Sequence, residues 1–168
     1  MALILEDGSI VANAASFVSV AEITAYAVER GVTVSATASD VEILARKAMD
    51  WLISKESTLA GVRVDNAQTL PYPRTGVTVH GFEVLSTEIP ALIKEVQMQA
   101  ATDAHSVDLL PTHAATPEGK IKVDKLDVIE TEFFRPGSGD FTPILTKLDD
   151  LLKPLQTGRG LGLNVFRG

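Results

Sequence analysis

Apolar residues recur at helical spacing in four stretches of the chain, and the gaps between them hold prolines, glycines and short alternating runs. Val20, Ile23 and Ala27, with Tyr26 beside them, predict a first helix over about Val20 to Arg30. Ser19-Val-Ala-Glu22 has the form of a capping box at its start, and Gly31 suits a left-handed stop at its end. Val41, Leu44, Ala45, Ala48 and Leu52 predict a second helix over Asp40 to Ser54, with Ser39-Asp-Val-Glu42 as a second capping box and Trp51 as a core anchor bordering the stripe. Ile89, Leu92, Ile93, Val96 and Ala100 predict a third helix, capped by Ser86 or Thr87 with Pro90 in its first turn. Ile144, Leu145, Leu148, Leu151, Leu152 and Leu155 form the seam of a fourth, opened by Thr142-Pro143 and ending near Pro154.

Between these stripes the pattern is extended. Ala2 to Leu5 reads as a strand or arm closed by a turn at Glu6-Asp7-Gly8. From Leu59 to Leu85, Gly61, Pro71, Pro73, Gly76 and Gly81 forbid a long helix, while Val62 to Val64 and Val77 to Val84 offer short strands. Within that connection Leu70 to Val77 is stiffened by two prolines and predicted to pack. Tyr72 is expected against the domain, and Arg74 is placed for an ion pair within or between subunits, which makes it the candidate subunit-interface residue. Lys120 to Phe134 alternates as a β-hairpin turning near Lys125 to Asp127, with one apolar and one charged face. Gln156 to Gly168 is glycine-rich, without acids, and reads either as an untied terminus or as a strand-like segment that orders on a partner, since Leu161, Leu163 and Val165 alternate. The expected fold is mainly α, a small bundle of about four helices with a β-hairpin and an extended C-terminal tail, organised as a domain over 1–155 and a flexible tail over 156–168.

Composition narrows the chemistry. At 168 residues and 45% hydrophobic content the chain can bury one core. Cysteine is absent, which excludes disulfides, thiolate metal sites and cysteine nucleophiles and suggests synthesis in a reducing cytoplasm. No run reaches the roughly 18 apolar residues of a membrane span, and no signal-like segment opens the chain. The net charge of -7 repels a phosphate backbone unless cations gather on one face. His80, His105 and His113 lie in separate contexts without metal-ligand spacing. Asp103, His105 and Asp108 read as a solvated helix end, and Asp149-Asp150 as the wet face of a helix. Gly158-Arg-Gly160-Leu-Gly162 lacks the lysine and the strand-to-helix context of a phosphate loop. These readings point away from an enzyme and imply no cofactor and no metal.

Five short elements occur in order: Ala2-Leu-Ile-Leu-Glu-Asp-Gly8, Ala12-Asn-Ala-Ala-Ser-Phe-Val-Ser-Val-Ala-Glu22, Leu70-Pro-Tyr-Pro-Arg-Thr-Gly-Val77, Glu88-Ile-Pro90, and Leu151-Leu-Lys-Pro-Leu155 with the glycine-rich tail. Together they resemble the tailed-bacteriophage family labelled as DnaT-like single-stranded DNA-binding proteins, departing from it at Tyr72, where members often carry Trp. Proteins similar to these look like head-to-tail adaptors, and the resemblance implies a structural virion protein at the head-tail neck. Its implied assembly is a ring under the portal, commonly of twelve subunits, with a stopper or tail-completion protein beyond it and double-stranded DNA passing through the lumen without specific binding. The C-terminal segment is implied to dock onto the portal, with Arg159, Leu161, Leu163, Val165, Phe166 and Arg167 as the candidate contacts. The alternative is a single-stranded DNA-binding replication accessory, which the charge of -7 and only nine aromatic residues disfavour.

Overall fold

The N-terminal arm is held by the extended segment that leads into the first helix. In the computed structural model, which describes residues 3–35, 37–110, 123–126, 129–132 and 146–157, Ala15 N donates to Ile4 O (2.8 Å) and Glu6 N to Ser16 O (2.9 Å). Leu5 and Ser16 thereby form a parallel bridge. The turn expected after Leu5 is present, and the carboxylate of Glu6 organises it. Buried Glu6 accepts from the backbone N–H groups of Gly8 (2.9 Å), Ile10 (3.0 Å) and Val11 (2.9 Å), which satisfies three donors that no helix or strand would pair.

The chain divides into two compact units, one of Met1–Leu109 with Leu145–Gly168 and the other of Leu110–Ile144. In the first, α1 (Val20–Glu29), α2 (Ala38–Ser54), α3 (Ala91–Asp103) and α4 (Thr146–Leu152, continued as a 3₁₀ turn over Lys153–Leu155) form the bundle. Among the described residues these four helices and three two-stranded antiparallel pairs bear out the mainly α expectation. α3 is the central rod and packs against α1, α2 and α4. Its Ile93, Val96, Ala100 and Ala101 meet a core built from Ile23, Ala27, Val41, Ala45, Ala48, Trp51, Leu52, Leu148, Leu152 and Leu155, all buried. Each large side chain among them contributes roughly 1.5–3 kcal/mol through removal from water.

Local signals succeed at α1 and slip at α2 and α3. Ser19 and Glu22 form the full capping box on α1. α2, however, starts at Ala38, with Thr37 as its N-cap and no side-chain cap. The Ser39 box therefore falls inside the helix, and Ser35 instead accepts from Thr37 N (3.2 Å) and donates to Asp40 (2.6 Å). α3 starts at Ala91 with Pro90 itself at the N-cap, so neither Ser86 nor Thr87 caps it. Pro90 has no N–H, and its ring fixes the entry to the helix without a side-chain acceptor.

The connection from Leu59 to Leu85 carries two strand pairs. β1 (Val62–Arg63) pairs with β2 (Arg74–Thr75), and β3 (Val77–Val79) with β4 (Phe82–Val84). Leu70, Tyr72 and Val77 are buried, and the Tyr72 ring meets Phe17 edge-on at 6.4 Å. Burial pushes the Tyr72 hydroxyl up to about 12. The Tyr72–Pro73 peptide is cis.

In the second unit β5 (Val123–Leu126) pairs with β6 (Ile129–Glu132), within the stretch expected to form a hairpin. Lys125 and Leu126, expected in the turn, lie in β5 opposite Glu130 and Ile129. The start expected for α4 at Thr142-Pro143 lies outside the described residues.

Candidate functional site

Most described cations are engaged inside the protein. The densest group surrounds Glu56. Arg63 donates to both of its carboxylate oxygens, from Nε and Nη2 at 2.6 Å each, and Arg74 Nη1 reaches Oε1 at 3.3 Å. Arg74 is the more deeply buried arginine and is stitched to the backbone besides. Its Nε donates to Ala60 O (2.8 Å), Nη2 to Gly61 O (2.7 Å) and Leu59 O (3.5 Å), and Nη1 to Pro71 O (3.3 Å). This guanidinium, singled out from sequence as an interface candidate, has its donors directed at acceptors of its own chain.

The hydrogen bond from Arg63, aided by the charges of Arg63 and Arg74, holds Glu56 below the ordinary glutamate value of 4.5. A carboxylate depressed in the folded state stabilises fully above the unfolded value, and that stabilisation is lost as pH falls through the folded one. Between about pH 5 and about pH 3 the wild type should therefore lose stability faster than Glu56→Gln. Urea midpoints measured across that window should converge as pH falls, and a constant gap would show that the charge on Glu56 contributes nothing.

Elsewhere the Arg30 guanidinium lies 3.3 Å from the centroid of the Tyr26 ring and 3.7 Å from both Glu29 and Glu95. Lys55 pairs with Asp149 (3.2 Å), Lys153 pairs with Asp150, and Lys147 donates to Gln99 (2.7 Å). Arg46, Lys47, Lys94 and Lys147 form no ion pair among the described residues, although Lys147 is held by Gln99. No three His, Asp or Glu side chains among the described residues converge as a metal set.

Among the described residues aromatic rings are distributed in the opposite way to what a long binding groove would need. Phe17, Tyr26, Trp51 and Tyr72 are all buried, and Phe82 is the one exposed aromatic among the described residues, at 78%. It sits where the sequence folds a tight ribbon. The register pairs Val77 with Val84, Thr78 with Glu83 and Val79 with Phe82, leaving His80-Gly81 as a two-residue loop. Both loop residues have positive φ (52° and 86°), the backbone of the turn that matches the twist of a hairpin. Directly opposed residues share a face, so Val77, Val79, Phe82 and Val84 form one apolar face and Thr78 and Glu83 the other. That face begins buried at Val77 and runs outward to Phe82, with His80 and Leu85 also exposed. The arrangement offers a ring held at the end of a short rigid ribbon, available to stack on a flat apolar partner.

The sequence offers Val62 to Val64 and Val77 to Val84 as two extended runs, whereas the second folds back on itself at His80-Gly81 as β3 and β4, and nothing in that reading singles out Phe82. The signal is the pattern Val-Thr-Val, His-Gly, Phe-Glu-Val, which places Phe82 beside the turn. Of the proposed partner-binding tail, Gln156 and Thr157 are described: Thr157 N donates to Thr58 O (3.0 Å), and Gln156 bridges Leu59. Arg159, Leu161, Leu163, Val165, Phe166 and Arg167 lie outside the described residues.

A family model described as "Putative DnaT-like ssDNA binding protein" matches residues 1–168. No curated protein and no solved structure matches the chain. The family match corrects the expectation of a head-to-tail adaptor in the virion neck, with its portal, ring and stopper partners and its lumen indifferent to DNA, in favour of the single-stranded DNA alternative. Net charge averages over all faces of a protein, so a total of -7 does not by itself exclude one local face that contacts a single strand.

Proposed function

We propose, from the premise that this chain belongs to the DnaT-like ssDNA binding protein family, that it binds single-stranded DNA by stacking a base on Phe82 at the end of the β3–β4 hairpin. The family match over the whole chain is the observation that carries the reading. Phe82 supports it, because every nucleobase has a face that a phenyl ring can stack on, and duplex DNA hides those faces. Exposure of the whole hairpin end leaves room for a strand to pass, and Glu83 lies on the opposite face of the ribbon from Phe82.

The charge of -7 sets the character of the interaction. Among the described residues Arg30, Lys55, Arg63, Arg74 and Lys153 are paired internally and would displace few counterions, and each phosphate contact to a single strand adds about -0.7 to the slope of log affinity against log salt. A slope of about -2 or shallower is expected, with stacking supplying much of the affinity. Fluorescence anisotropy with a labelled oligothymidine at about 50 mM and about 200 mM salt tests this. Wild type should bind at the lower salt, and Phe82→Ala should weaken binding by about 1–3 kcal/mol, roughly 5- to 150-fold. Phe82→Trp should retain or strengthen it. Absence of wild-type binding at low salt would remove the reading, whereas binding that survives Phe82→Ala unchanged would move the contact off the hairpin.

A further inference from the structure

α2 has a second face that the bundle leaves uncovered. Its buried side is Val41, Leu44, Ala45, Ala48, Met49, Trp51 and Leu52. On the other side Ile43 is 52% exposed and Ile53 39% exposed, and between them stand Arg46, half-buried, and Asp50, exposed. These four positions fall at i, i+3, i+7 and i+10, one stripe about 15 Å long on the helix surface. Neither Arg46 nor Asp50 has an ion pair among the described residues. The stripe reads the same from both ends: Ile43 and Ile53 lie equally far from position 48, and so do Arg46 and Asp50.

A two-fold axis at position 48 turns that order into self-complementarity. Two α2 helices laid antiparallel across the axis bring Ile43 against Ile53 of the second copy and Arg46 against its Asp50, and symmetry makes each contact occur twice. Lys47, exposed on the edge of the stripe, approaches the same aspartate from the solvent side. Parallel helices would instead set Arg46 against Arg46 and Asp50 against Asp50, so the charges select one orientation as well as one partner.

We propose that the Ile43–Arg46–Asp50–Ile53 face of α2 is a self-association surface, paired antiparallel with a second copy of this chain. A contact built on one helix face buries less than a standard interface, so the dimer is a weak one that forms on the order of 10–100 µM. The proposal is independent of the DNA reading and concerns a different element.

Charge exchange tests it with the full chain by sedimentation velocity. Wild type should pass from monomer to dimer as concentration rises to about 500 µM. Arg46→Asp sets the introduced carboxylate against Asp50 of the second copy, and Asp50→Arg sets the introduced guanidinium against its Arg46, so each should weaken dimerisation at least ~10-fold. The double exchange, Arg46→Asp with Asp50→Arg, restores opposite charges across the axis and should recover it to within ~3-fold. An equimolar mixture of the two single variants should form mixed dimers although neither pairs with itself. Ile43→Ser, at a position exposed in the monomer, should weaken association while far-UV circular dichroism and Trp51 fluorescence stay unchanged. Wild type that remains monomeric, a double exchange as impaired as the single ones, or a mixture that stays monomeric would each overturn the proposal. Assembly that ignores positions 46 and 50, with some other partner or face responsible, would overturn it too.

Discussion

Arg74→Met should lower the free energy of unfolding by about 3–5 kcal/mol, the range in which loss of one partner of a buried, hydrogen-bonded ion pair falls. Methionine fills much of the arginine stem's volume, so the loss isolates the guanidinium. That group donates to the carbonyls of Leu59, Ala60, Gly61 and Pro71 and to Glu56, and it is 7% exposed. Without it those carbonyls face one another in the space where the chain turns from the 3₁₀ segment Glu56–Thr58 into β1, and Glu56 keeps only Arg63. Arg74→Lys should recover part of the loss, because an ammonium restores the charge but cannot reach acceptors spread around a planar fork. Urea unfolding followed by Trp51 fluorescence measures both variants, and a loss below about 1 kcal/mol for Arg74→Met would show that water replaces the guanidinium without cost.

Gly8→Ala should cost about 2–4 kcal/mol, which combines a backbone geometry unfavourable to a side chain with severe overpacking. Gly8 has φ +107°, and a Cβ there would lie 2.0 Å from Thr87 O and 2.8 Å from Thr87 C. The obstruction is backbone, so relief requires the Glu6–Val11 loop to lift from the segment that leads into α3. That loop is already constrained: Ile10, a β-branched residue, has φ +63°, and the three hydrogen bonds to Glu6 hold it there. Gly31→Ala is the control, with φ +71° but nothing within 4 Å of the added Cβ. It should cost only about 1 kcal/mol, the backbone share alone. Equal losses in the two variants, again read by urea midpoint, would show that the Gly8 loop yields freely.

Periodicity located the helices because each stripe faces a single core: Ile23, Tyr26 and Ala27 of α1, the stripe expected of α2, and Ile93, Val96 and Ala100 of α3 are buried, whereas Val20 and Leu92 are half-buried at the margins of their stripes. The cap signals were less secure. Ser19 and Ser39 each precede a glutamate by three residues, but only Ser19 lies where the chain enters its helix, and nothing local distinguishes the two. Leu70 to Val77 was legible as a packed connector with an internal role open to Arg74, although not the number of carbonyls that converge on it. Buried polar groups escaped because their reasons are distant in sequence. Gln97 sits on the buried face of α3, where it accepts from Phe17 N (2.9 Å) and donates to Ser16 Oγ (2.8 Å) across some eighty residues. Glu6 looked like a turn residue, yet it is the acceptor around which the turn closes. Val77 to Val84 was legible as extended chain, whereas its reversal at His80-Gly81 was not, and the exposure of Phe82 depends on how far the ribbon extends from Val77, which is a tertiary property.

The first unit is interrupted in sequence by the second, and α4 lies on the far side of the interruption. Leu148, Leu152 and Leu155 are fully buried in the same core as α1 to α3, and Ala60 N donates to Leu155 O (2.8 Å). On the ribosome, α1, α2 and α3 therefore emerge with the α4 side of their core open, and at about 5–20 residues per second several seconds pass before those leucines are made. During that interval the nascent chain exposes the apolar seat that α4 later fills, which makes it a client for chaperones that recognise such surface, and a messenger truncated before residue 146 would yield a product prone to aggregate rather than a shorter working protein.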